Sequence, residues 1–417
     1  MAEQRSMPKE SGADHTLQQL QEGYQFILNR SHTFHSNVFE TMLMGEPVIC
    51  LVGKEAAEIF YDNDKFRRED AAPKRAEKTL FGEGGVQGLD GEAHLNRKKM
   101  FMSLMTKESL EEVRSLTGKA LKLAMRDLNK EEPFKVYDEA RKAMTRVASA
   151  WTGVPIYDEE LDEWAEELSD MYESPTAVGF KHWKGRRSRS KAEKWIEDLV
   201  KKVRKGKLAT SKDRALYQFS WHRDENGDLL DKHTVAVELL NLLRPMVAIS
   251  VYIDFLVLAI HEHPEKVEKV RTGDENELQY FIQEVRRYYP FFPFAAARVD
   301  RNFTWDGYAF KQGTLTLLDL YGTNHHPELW ENPKLFKPER FQSWDGHPFD
   351  FIPHGGGEFE IGHRCAGEWL TIEVLKETLD HFVNRISFEV PEQNLGFSLK
   401  EIPSIPKSEV KVTGVQS

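Results

Sequence analysis

The chain has 417 residues, 40% hydrophobic and 30% charged, with nine Trp and 25 Phe, which describes a soluble globular protein with ample material for a core. Its length admits two or three ordinary domains or one large single-core enzyme. A net charge of −11 and a pI near 5.8 exclude a general nucleic-acid-binding role, and two cysteines leave at most one disulfide.

Residues 1–15, MAEQRSMPKESGADH, are polar, lack the apolar core of a signal peptide and are expected to be disordered, ahead of one folded unit over 16–417. Apolar residues recur at helical spacing over 16–30, 54–62 and 159–173. Between the first two, PVICLV (47–52) reads as a buried strand and makes Cys50 an inert core residue. The basic run KHWKGRRSRSK (181–191) is expected to be a solvated loop or helix start; a steering patch for an anionic ligand is the second reading. Helical patterns continue over 191–206 and from about Asp231 to His263. The greasiest part of the latter, ISVYIDFLVLAI (249–260), is too short to span a bilayer and carries Asp254, so a cytosolic protein without a membrane anchor is expected. Further on, Asp306-Gly307 within NFTWDGYAFKQG (302–313) predicts a hairpin, TLTLLDLY (314–321) a strand, and 387–403 a small C-terminal sheet. The expected fold is mainly α with a minor β region, in which the N-terminal strand pairs with strands from the last third.

Chemistry concentrates around Cys365, in FIPHGGGEFEIGHRCAGE (351–368). An amphipathic helix pattern, 367–383, begins just behind it, and a thiol at a helix N-terminus has a lowered pKa, which suits a nucleophile or a metal ligand. A hydrolase needs an oriented base, and His363, two residues away in a loop, is poorly placed for that. Zinc and iron–sulfur clusters need more Cys or His ligands than the sequence supplies. A single thiolate as sole protein ligand fits haem. Upstream, Glu284 and Arg287 in QEVRRYY (283–289) share one helix face, and KPERF (337–341) places Arg340 after a proline-bounded loop.

Glu284-x-x-Arg287, Pro338-Glu339-Arg340-Phe341 and the Cys365 loop, in this order and spacing, resemble the cytochrome P-450 superfamily over nearly the whole chain. The resemblance implies a haem-binding catalytic domain over 16–417, with haem b held between a long distal helix and a proximal loop whose Cys365 ligates the iron. It also implies that Glu284, Arg287 and Arg340 form a buried ion network fixing the loop. Where the family has Phe seven residues before the cysteine and Gly four before, this chain has Glu358 and Ile361, as though residues had been inserted.

The helix 231–263, roughly 50 Å at 1.5 Å per residue, corresponds to the one crossing the haem in that superfamily. Most members carry an acid and a threonine there; this chain has Leu243-Arg244-Pro245-Met246. Pro245 removes a helical hydrogen bond, and Arg244 is a permanent cation among apolar residues that calls for a carboxylate partner. The Arg-Pro pair resembles the fatty-acid peroxygenase branch, as do APKR (72–75), KTLFGEGGVQGLDG (78–91), HWKGRR (182–187) and LDLYGTNH (318–325). That resemblance implies hydrogen peroxide as oxidant with no obligatory redox partner, and a long-chain fatty acid whose carboxylate pairs with Arg244 and serves as general acid/base. The products implied are α- or β-hydroxy acids. By the same resemblance Phe81, Gln87, Phe291 and Phe292 line the acyl pocket, and Arg68, His94, Lys98 and Tyr289 hold the propionates. Decarboxylation to a terminal alkene is the alternative outcome; the alkene-forming relative has His where this chain has Gln87. A non-catalytic haem-binding carrier or sensor and a reductase-dependent monooxygenase fit the distal residues less well.

Overall fold

The computed structural model describes residues 5–126, 132–177 and 179–416. Its principal sheet has five strands in the order Val38–Leu43, Glu46–Leu51, Leu315–Asp319, Phe294–Val299 and Phe66–Arg67. The first two form a hairpin whose turn residues, Met44 and Gly45, both have positive φ, which matches the right-handed strand twist. Glu46–Leu51 then lies parallel to Leu315–Asp319, with Cys50 opposite Leu317, so the N-terminal strand does pair with the last third of the chain.

Residues 5–15 depart from the expected disorder. Lys9 bridges to Glu40, the Glu10 N–H donates to the Glu40 carbonyl at 2.8 Å, and the His15 N–H donates to that of Met42 at 2.8 Å. The Asp14 carboxylate and Thr16 hydroxyl accept from the Gly45 and Met44 N–H groups, so this polar segment secures the turn of the first hairpin. Residues 1–4 lie outside the described ones. The Asp306-Gly307 hairpin forms with Phe303 opposite Phe310, and the C-terminal β region pairs Lys411–Gln416 with both Ser387–Glu389 and Phe134–Lys135.

The helical body is organised by Lys232–Glu262, capped by Asp231, whose carboxylate accepts from the His233 and Thr234 N–H groups. It is apolar nearly all round, as a helix enclosed by protein must be. Helices Val136–Thr152, Leu161–Glu173 and Phe180–Arg204 pack on it, so its length and apolarity mark a core helix. The basic run 181–191 lies within the helix Phe180–Arg204 and meets the acidic face of Leu161–Glu173: Lys184 reaches Asp170 at 3.1 Å and Lys191 reaches Glu167 at 2.6 Å. The two helices are pinned by Trp164 stacked on Trp195, ring centroids 3.9 Å apart.

Candidate active site

The proximal side is built on the helix Glu275–Tyr288, which Asp274 caps. Glu284 and Arg287, three apart, meet on its buried face at 2.7 and 2.8 Å, and the Arg340 Nε donates to the same carboxylate at 3.1 Å. Their remaining capacity goes to backbone: Arg287 donates to the carbonyls of Asn324 and Pro333, Arg340 to that of Glu331, and the Lys337 N–H donates to Glu284. The stretch from Asn324 to Arg340 is thereby tied to one carboxylate of the helix, an arrangement that fixes geometry.

A second buried network, which sequence reading did not find, lies beside it. Arg286 and Arg364 both donate to Glu368, the first residue of the helix Glu368–Asp380, and Arg286 also reaches the His354 Nδ1 at 3.1 Å. Burial pushes the Glu368 carboxyl up, but the Arg286 charge and the Arg364 hydrogen bond outweigh it and hold it at about 2. Arg364 and Glu368 are four apart, the one local signal of this network; the 82-residue separation of Arg286 from Glu368 gives none.

These networks bracket Cys365, whose N–H donates to the His354 carbonyl at 3.1 Å. Gly355 sits at φ 90°, and a Cβ there would meet the Tyr61 Oη at 2.8 Å, so the glycine run serves both conformation and close approach. Glu358 and Ile361, the residues that depart from the family pattern, are solvent-exposed, while Phe359 turns in against Arg364 and Trp369. The inserted residues therefore bulge outward and leave the cysteine in place. The Cys365 residue is exposed although protein surrounds its thiol, which places it on an internal cleft. Burial raises its thiol pKa; a Gly367 N–H hydrogen bond and the Lys98 and Arg244 charges oppose that rise. Cys50 is fully buried in its strand.

Next to Cys365, positive charge is in surplus. Lys98 donates to the Arg364 carbonyl, His94 stacks on His363 at 3.9 Å, and Asp90 accepts from the Arg68 and Glu69 N–H groups while lying 3.7 Å from the His363 Nε2. Burial lowers Lys98 to about 8 and Arg68 to about 10; burial, then His363 and Lys98, lower His94 to about 3. The Arg68 Nη1 is buried without a partner. A buried arginine and lysine against one carboxylate call for further anionic groups, which suits the two propionates of a haem.

Tyr289 is not in this cluster. Its ring stacks on Phe255 at 4.6 Å and packs against Phe336 and Phe397, toward the Glu262 end of the long helix. The tyrosine beside the cluster is Tyr61, 5.5 Å below the Arg68 guanidinium. Its position after Ile59-Phe60 of the helix Lys54–Phe60 gave no local indication of this role.

On the distal side Arg244 is 7% exposed, with an unpartnered Nε and an Nη2 3.5 Å from the Asn241 Oδ1. Burial first, and then the Arg189 cation, lower its pKa to about 9, so it is charged at neutral pH. Asn241 is itself held: its Nδ2 donates to Glu238 at 3.0 Å and to the Gln87 Oε1 at 3.2 Å, and Glu238 forms a buried ion pair with Arg97 at 2.7 Å. Pro245 has no N–H for the Asn241 carbonyl, one turn before it. A Cβ at Gly85 would meet the Phe81 carbonyl, the Asn241 Nδ2 and the Gln87 Oε1 at about 3 Å, so only glycine lets the 81–88 segment close on the long helix. Phe291 stacks on Tyr252 of that helix at 4.3 Å and meets His354 edge-on, while Phe292 and Phe81 are partly buried against the core.

The cytochrome P-450 family model matches residues 15–411, and the chain belongs to that family. Among curated relatives, cytochrome P-450 26A1 of Danio rerio is 23% identical over 94% of this chain and 87% of its own, and taxoid 14-beta-hydroxylase of Taxus cuspidata is 25% identical over 88% and 77%. Solved structures are much closer. Cytochrome P450EX alpha (CYP152N1) with myristic acid is 50% identical over 99% of both chains, with a TM-score of 0.96. Cytochrome P450SP alpha (CYP152B1) in complex with (R)-ibuprophen is 39% identical over 97% and 99%, and a variant of cytochrome P-450 OleT with arachidonic acid is 36% identical over 99% of both, each with a TM-score of 0.95. The chain is thus a haem-thiolate oxidoreductase. The residues present fit the cofactor: a cysteine on a cleft whose thiol has an N–H donor, a glycine-lined approach, and an unbalanced basic cluster beside it.

Proposed function

We propose that this protein uses hydrogen peroxide to hydroxylate long-chain fatty acids at the α or β carbon, in the cytoplasm and without a reductase partner. The observation that carries the reading is Arg244: a buried guanidinium with an unpartnered Nε and, among the described residues, no carboxylate within 4.0 Å. A fatty-acid carboxylate is the simplest ligand to complete it, by a bidentate charge-assisted pair.

In this reading Cys365 ligates haem iron, Arg68, His94 and Lys98 hold its propionates, and the bound haem supplies peroxide activation and oxygen transfer to carbon. The chain's own contribution is positional and acid–base. Arg244 pins the headgroup; the Arg97–Glu238–Asn241 series aims Arg244; Phe81, Phe291 and Phe292 enclose the acyl chain and keep water out. Leu242, Leu243, Val247 and Ala248 flank Arg244 with apolar side chains, and a substrate carboxylate paired with it is a group able to accept a proton and return it. Anchoring one end also sets which carbon is presented for oxidation.

Decarboxylation to a terminal alkene on the same site is the second reading, since it would use the same Arg244 anchor and acyl pocket. Gln87 favours hydroxylation, because its amide has no titratable proton and its oxygen accepts from Asn241. Incubation of purified protein with myristate and hydrogen peroxide, without reductase, tests both. Hydroxymyristate is the expected product, 1-tridecene would shift the assignment to decarboxylation, and absence of turnover would leave a carrier or sensor.

A further inference from the structure

The basic run 181–191 is not exhausted by its acidic partners. At 100° per residue, Phe180, Trp183, Arg186, Arg187, Ser190 and Lys194 fall within roughly 120° of the helix Phe180–Arg204. Phe180 is 76% exposed and Trp183 56%, with ring centroids 5.9 Å apart, and the Arg187 guanidinium lies 5.9 Å over the Trp183 ring. Lys181, Lys184 and Lys191 face acids of the helix Leu161–Glu173. Among the described residues, Arg186, Arg187 and Lys194 have no acid within 4.0 Å. Arg187, Ser190, Lys191 and Lys194 line a shallow cavity of about 480 Å³ on this side of the helix. On a chain of net charge −11 this arc carries three cations without an acidic partner among the described residues.

We propose that this helix face docks the protein on an anionic phospholipid surface. Phe180 and Trp183 enter the boundary between headgroups and acyl chains, and Arg186, Arg187 and Lys194 hold phosphates around the cavity. Unpaired cations beside large exposed rings are the composition of interfacial helices; a dissolved polyanion would engage the cations and leave both rings in water. The acidic remainder of the molecule is repelled by such a surface, which orients the contact. On its other side the same helix sends Arg189 to the carbonyls of Leu80 and Phe81, at 2.8 and 3.2 Å. The docked face is therefore one helix thickness from the segment that the fatty-acid reading assigns to the acyl pocket, and in that respect the inference rests on that reading.

The test is co-sedimentation of the holoenzyme with phosphatidylcholine vesicles, with and without phosphatidylglycerol, while tryptophan emission is recorded. Binding is expected with the anionic vesicles alone, with a blue shift and a steep loss on adding salt. The triple variant Arg186→Gln, Arg187→Gln, Lys194→Gln should partition about a hundredfold more weakly, at about 1 kcal/mol per cation near an anionic surface. Phe180→Ser with Trp183→Ser should weaken vesicle binding but leave capture by dextran sulfate unchanged. Equal binding to neutral vesicles, an unaffected triple variant, or a ring variant that binds like wild type would overturn the proposal. These side chains are exposed, so thermal melts of the variants verify folding. Peroxide-driven turnover of dissolved myristate is read separately, so failure to dock and failure of the fatty-acid reading are distinguishable.

Discussion

Arg287 and Arg244 are both buried guanidiniums on helices that flank the active site, yet their surroundings differ in kind. Arg287 directs its donors to Glu284 and to three backbone carbonyls, and Arg340 completes the same carboxylate. Arg244 leaves its Nε bare and touches Asn241 at 3.5 Å, near the limit of a hydrogen bond. A satisfied buried cation holds scaffold; an unsatisfied one is stable in the fold only because something outside the chain completes it, or because the site keeps it poised for that event.

That contrast can be broken by stability and activity measured together. Glu284→Ala strands Arg287 and Arg340, and unfolding in denaturant should show a loss of about 3–5 kcal/mol. Arg244→Leu should lower peroxide-driven myristate turnover by about 10²–10⁴-fold while leaving the denaturation midpoint unchanged or raised. If the two variants lose stability equally, Arg244 belongs with the scaffold and the anchoring role fails. The second proximal network adds an acid limit. Glu368 is held at about 2 in the fold against an ordinary value of 4.5, so its contribution is fully present above pH 4.5 and lost as pH falls toward 2. Thermal midpoints recorded across that window should therefore fall more steeply for wild type than for Glu368→Gln. The smallest effect sharpens the distal side: Asn241→Ala, which frees one weak contact to Arg244, should raise the KM for myristate about fivefold, in keeping with about 1 kcal/mol for a single hydrogen bond.

Elements with a strong local signal were legible in the sequence. The Lys232–Glu262 helix follows from its long apolar pattern, the 303–310 hairpin from Asp306-Gly307, and the Glu284–Arg287 pair from its spacing of three. Partners distant in sequence were not. Arg97 and Glu238 lie 141 residues apart, and neither stands in a pattern that announces the other. Residues 5–15 read as disordered because their polarity is real; the order comes from backbone pairing with Glu40 and Met42, which composition does not register. Tyr289 was misplaced because the corner after the Glu275–Tyr288 helix carries two adjacent tyrosines and turns this one into an aromatic cluster, while Tyr61 reaches the basic cluster from a short helix far upstream.

The seclusion of Cys50 in its strand has a practical corollary. A water-soluble maleimide offered to the folded protein should leave Cys50 unmodified until denaturant opens the sheet. The onset of its labelling, counted by mass, then reports the opening of that strand independently of colour or turnover.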